Sequence, residues 1–135
     1  MINHGFTLRT DLFEAVTPGP HFINRRCFGE DFAKWFHAEL KKRALIVSDP
    51  VQEDFGWVLL LTYDQHVFTL AIGIMDDSIG SVPAEWRIGV SFEKPLNGFR
   101  AWFQKPPQAE LSELARIVEM VLSSEPRFRD LTSTA

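Results

Sequence analysis

Glu53 and Asp54 are adjacent carboxylates standing directly before Phe55, Gly56 and Trp57, the tightest cluster in the chain with side chains that could do chemistry. A carboxyl group packed beside a Trp can have its pKa raised by desolvation, which is what a general acid needs. Adjacent residues of a strand point to opposite faces, so these two do not easily converge on one substrate atom. The pattern favours a polar turn, with Gly56 marking a bulge or close backbone approach and Trp57 entering the core.

Other chemistry-bearing residues are scattered. His4, His21, His37 and His66 occur singly, none at the i, i+4 spacing of a helical metal site. His37 is expected on the polar side of a helix and His66 in a hairpin turn, both solvated. Asp76-Asp77-Ser78 lacks the alternating acids and closing Glu of a calcium loop, so a solvated turn is expected. Cys27 follows Arg25-Arg26, which would activate an exposed thiol. With no His nearby in sequence, it reads as a small buried residue. No phosphate-binding glycine fingerprint and no Gly-x-Ser-x-Gly elbow occurs. No catalytic residue, metal site or cofactor is expected.

The elements that must position these residues centre on Pro50 to Met75. Two apolar runs, Phe55–Tyr63 and Val67–Met75, flank Asp64-Gln65-His66, the signature of a β-hairpin. Phe55, Trp57, Leu59, Leu61 and Tyr63 share one face of the first strand; Val58, Leu60 and Thr62 share the other. Both faces being apolar, this strand should be central. The second strand is asymmetric: Phe68, Leu70, Ile72 and Ile74 on one face, Thr69, Ala71 and Gly73 on the other. Glu85–Glu93 alternates with Trp86, Ile88, Val90 and Phe92 inward and Arg87, Gly89 and Ser91 outward.

A first strand opens near Phe6 and Leu8, and Thr17-Pro18-Gly19-Pro20 breaks the chain. A helix is predicted from Glu30 to Ala44, on an apolar stripe of Phe32, Phe36 and Leu40 and with Glu39 and Arg43 paired at its edge. Leu45–Val47 fits a short strand. Lys94–Gly98 ends the third hairpin-linked strand, and Phe99, Trp102 and Phe103 suggest a helical turn. Pro106-Pro107 introduces a second helix carrying Leu111, Leu114, Ala115, Val118, Val121 and Leu122, and Pro126 stops it. The tail over 126–135 is polar and is expected to fray. The order strand, helix, three-strand meander, helix predicts an α+β two-layer sandwich, with a mostly antiparallel sheet and both helices on one face.

Bulk properties set limits. The 135 residues fit a single domain, and 45% apolar with 24% charged residues is ordinary for a soluble globular chain. A net charge of −4 and the absence of a basic stripe argue against nucleic-acid binding. Lys41-Lys42-Arg43 suits the negative end of a helix dipole without any ligand. No apolar run approaches the ~18–20 residues of a membrane span, so no membrane partner is expected. One cysteine excludes an internal disulfide, and no secretion signal opens the chain; a cytoplasmic setting is expected.

Glu-Asp-Phe-Gly-Trp at 53–57 and Glu-Pro-Arg-Phe-Arg-Asp at 125–130 resemble motifs of a group of small uncharacterised bacterial proteins. The resemblance implies a helix, an acidic-aromatic-Gly-Trp strand start and a closing helix ended by Pro-Arg-Phe, and carries no activity. The compact α+β form is also similar to immunity proteins and adaptor domains, at the level of fold alone. If helices cover one face only, the small residues Thr69, Ala71, Gly73, Gly89 and Ser91 beside Phe55, Trp57 or Tyr63 make a shallow concave surface. The expectation is a non-catalytic binding or accessory protein, acting as a homodimer or on a protein partner through Glu53, Asp54, Trp57 and Arg87. The alternative is a small enzyme or ligand carrier using Glu53 or Asp54 in a pocket on that face.

Overall fold

The computed structural model describes residues 2–22, 26–92 and 107–134. Its elements run β1 (Ile2–Thr10), α1 (Glu30–Lys42), β2 (Ile46–Val47), β3 (Val51–Glu53), β4 (Gly56–Tyr63), β5 (His66–Ile74), β6 (Ala84–Phe92), α2 (Gln108–Ser123) and β7 (Arg129–Thr134). The fold is α+β, as the sequence predicts: a seven-stranded antiparallel sheet with both helices on one face. The sheet order is β2-β4-β5-β6-β1-β7, with β3 also pairing to β4. No helix among the described residues is long and apolar enough to cross a membrane.

The meander β4-β5-β6 forms for local reasons. Asp64 and Gln65 both adopt left-handed conformations, φ 49° and 67°, and close β4 onto β5 through a two-residue turn. That turn matches the right-handed twist of the strands it joins. His66 therefore opens β5 instead of sitting in the turn. It is half-buried, its ring edge-on to Phe92 at 6.1 Å. Alternation then sends Leu59, Leu61, Phe68, Leu70, Ile72, Trp86, Ile88 and Val90 into the core.

Helix α1 buries Phe32, Ala33, Phe36 and Leu40, the stripe read from spacing, and stops at Lys42 rather than Ala44. Ala44 adopts φ 63°, which no helix can continue through. Glu39 pairs with Lys42 at 3.1 Å, not with Arg43. Phe13 stacks on Phe32 at 4.2 Å, and Phe32 stacks on Phe36 at 5.4 Å. Fully burying each such ring contributes roughly 1.5–3 kcal/mol. Helix α2 buries Leu111, Leu114, Ala115, Val118, Val121 and Leu122 against β1 and β6.

The C-terminal segment does not fray. Phe128 reaches the aromatic cluster, 5.0 Å from Trp35 and 5.6 Å from Phe32. Thr10 Oγ1 donates to the Arg127 carbonyl at 3.0 Å. So anchored, residues 129–134 add an edge strand to β1, with Thr132 opposite Thr7 and Thr134 opposite Gly5. The expected break at Lys94–Gly98 and the aromatic turn at Phe99, Trp102 and Phe103 lie outside the described residues.

Two contacts yield tests. A Cβ on Gly56 would sit 2.1 Å from the Ile72 carbonyl oxygen, where φ is +156°, whereas one on Gly89 would meet nothing within 4 Å. Gly56→Ala should lower stability by roughly 2–4 kcal/mol, and Gly89→Ala should stay within about 0.5 kcal/mol of wild type in urea unfolding. Tyr63, the single tyrosine, donates its hydroxyl to Glu113 Oε2 at 2.9 Å. This bond and the negative charge of Glu113 hold its pKa above the ordinary 10.0. The raised value adds stability below pH 10.0 that disappears as pH climbs through the folded-state pKa. Tyrosinate absorbance should show a midpoint above 10.0 that falls in Glu113→Ala.

Candidate functional site

Strand register, not any motif, builds a hollow in the outer face of the sheet. One row of residues crosses the sheet's outer face as Thr134, Gly5, Gly89, Ala71, Val58 and Val51. The row on one side holds Thr7, Arg87 and Gly73; the row on the other holds Ser91, Thr69 and Leu60. Small side chains in the middle of a twisted sheet leave a hollow that larger neighbours rim. Its volume is ≈ 800 Å³.

Gly89 lies open on the floor of this trough, whereas Gly5 is tightly approached by the Thr134 hydroxyl and Gly73 by the Phe55 carbonyl. Arg87, Asp54, Phe55, His4, Thr7 and Ser91 are among the groups that line it. Arg26 and Asp76 stand at its rim, paired at 3.6 Å. Among the described residues neither Arg87 nor the Asp54 carboxylate has an ion-pair partner.

Beside the trough, the same face turns apolar. Ile46, Val51, Leu60 and Val67 project from β2, β3, β4 and β5, between 45% and 67% exposed. Phe55, at 59%, joins them from the β3–β4 turn. Leu59, Leu61 and Phe68, on the inner face of β4 and β5, are buried. The outer face thus divides into an apolar ridge and a hollow in which Arg87 and Asp54 have no ion-pair partner among the described residues.

The expected site residues separate. Asp54 and Arg87 both line the trough, while Glu53 is exposed on the edge strand outside it. Trp57 belongs to no exposed surface: it is 5% accessible, on the inner face, with its indole N–H donating to the Cys27 carbonyl at 2.8 Å. Tyr63 also faces inward. Phe55, expected beside Trp57, lies on the outer side, because the turn conformation at Gly56 breaks the alternation between them. His4, Thr7 and Thr134 were invisible as lining residues, since only the pairing of β1 with β6 and β7 brings them there, and Arg26 comes from the segment before α1.

Cys27 is buried, as expected, and its thiol lies 3.1 Å and 3.2 Å from the carbonyls of Glu53 and Asp54. Together with the Trp57 bond, this ties the β3–β4 turn to the segment leading into α1. His37 is not freely solvated; its Nε2 lies 3.8 Å from Asp49 Oδ1. Among the described residues no cluster of three or more His, Cys, Asp or Glu side chains could hold a metal ion. A buried thiol reacts only when its surroundings open. Cys27 should therefore resist an aqueous thiol reagent in the native protein and react fully in denaturant; rapid native labelling would contradict the packing.

Comparison of the chain with protein-family models, with curated proteins and with solved structures finds no match.

Proposed function

We propose that the protein acts by binding, without catalysis, and that the outer face of its sheet is a protein-docking surface. The carrying observation is the run of exposed Ile46, Val51, Phe55, Leu60 and Val67 along one edge of a face that no described helix covers. Contiguous apolar surface of this kind is what interaction sites offer, whereas single exposed apolar residues are ordinary. A protein occupant fits better than nucleic acid, because the face mixes Arg87 with Asp54 and Asp76 in a chain of net charge −4. A cytoplasmic accessory role belongs to the same reading, supported by a single cysteine that is buried.

A small-ligand site using Asp54 as acid or base is the second reading. It is favoured by Asp54 and Arg87 lining one trough. Glu53, outside the trough, drops out of it.

Hydroxyl-radical footprinting separates occupied from bare surface. Phe55, Leu60 and Val67 should be labelled readily in dilute purified protein and protected several-fold in intact producing cells. A Thr69→Arg variant, altered at the middle of the face, should lose that protection. Equal labelling of wild type in both settings would overturn the docking reading.

A further inference from the structure

The register of the sheet suggests what occupies the face. We propose that it is a second copy of this chain, packed face to face about a two-fold axis that runs along β5. The inference rests on the docking reading and names its partner.

Rotation about such an axis carries β4 of one protomer over β6 of the other, while each residue keeps its height along the strand. The ladder rows then dictate the contacts. Leu60, Thr69 and Ser91 form one row, so Leu60 lands over Ser91 of the second copy and Thr69 meets its own equivalent. Val58, Ala71 and Gly89 form the next, so Val58, itself only 8% exposed, lies opposite the open floor at Gly89. Leu60, 45% exposed, is the ridge residue set against the small side chain of Ser91 in the hollow of the other copy. An interface of this isologous kind requires one patch to complement itself, which a ridge beside a hollow does.

Charge follows the same rule. Arg87 shares its row with Gly73, and the backbone of the Asp54-Phe55 turn packs on Gly73. Rotation about β5 therefore sets Arg87 against the Asp54 turn of the second copy. Each protomer supplies one of these cations and one of these anions, neither engaged in an ion pair within its own described residues. The pairing occurs twice across the axis. Face-to-face sheets cross at about 30°, which preserves register best near the axis, where these rows lie.

About this axis β4 overlies β6 and β2 overlies β1 of the second copy, so β7 falls outside the overlap. Five strands ~4.8 Å apart, with the nine residues of β5 and β6 at ~3.3 Å each, span roughly 570 Å². That is less than the ~800 Å² each partner gives to a standard interface and fits a weaker, concentration-dependent dimer.

The test uses charge reversal with light scattering and sedimentation over a concentration series. Wild type should be a dimer. Arg87→Asp and Asp54→Arg should each remain folded by circular dichroism, because both side chains are exposed, and each should weaken self-association at least tenfold. Mixed in equal amounts, the two variants should form a heterodimer, since both cross-axis pairs are restored. The doubly reversed chain should dimerise alone. Gly89→Trp, whose Cβ has open space in its own fold and whose ring would fill the hollow, should be monomeric.

A wild type that stays monomeric throughout overturns the second copy; footprint protection in cells would then assign the face to a different protein and leave the docking reading standing. A wild-type dimer that survives either single reversal, or variants that fail to rescue one another, overturns this arrangement.

Discussion

A seven-stranded sheet has two faces, and the two described helices of this chain both lie on one. That asymmetry governs the rest. On the covered side, β1, β4, β5 and β6 present large apolar side chains at every second position, and α1 and α2 meet them with matching stripes. On the side that no described helix covers, the same strands carry Gly5, Thr7, Ala71, Gly73, Arg87, Gly89 and Ser91, residues that tolerate water. The departure comes at β4, where Val58 and Leu60 keep the outer face apolar too.

Covering one face well requires the helices to be held in place, and aromatic stacking around Phe32 does this. Phe13, Trp35, Phe36, Trp86 and Phe128 all lie within 6 Å of it, ring centre to ring centre. They come from a loop, a helix, a central strand and the segment before β7, so one cluster fastens four parts of the chain. The Trp57–Cys27 bond adds a second fastening where the β3–β4 turn meets the start of α1.

Periodicity made the meander, both helices and the one-sided covering legible, because Leu59 to Phe92 and Leu111 to Leu122 repeat with clean strand and helix spacing. The outer hollow was legible for the same reason: small residues alternated with large ones in β5 and β6. β7 was not, since Arg-Asp-Leu-Thr-Ser-Thr has no apolar alternation and sits at an edge that asks for none. Its strand character comes from pairing with β1, a contact the local sequence does not encode. Trp57 enters the core, as its place after Gly56 suggested, and its grouping with Glu53, Asp54 and Arg87 on an exposed surface fails because proximity in sequence says nothing about which face a side chain takes once Gly56 has turned the backbone. Arg87 was placed correctly, on alternation alone.

The position of β1 has a consequence for how the chain reaches this state. Its neighbours in the sheet are β6, starting at Ala84, and β7, starting at Arg129. β4, β5 and β6 can zip together through short connections, but β1 has no partner until the chain has grown past Phe92. During synthesis Phe6 and Leu8 thus wait without their sheet, and β1, made before the meander, is among the last of these strands to be secured. Pairings this distant in sequence slow folding, since a long loop must close before any contact offsets the entropy lost. The meander is the nucleus such a topology favours, and the two ends of the described chain close over it together.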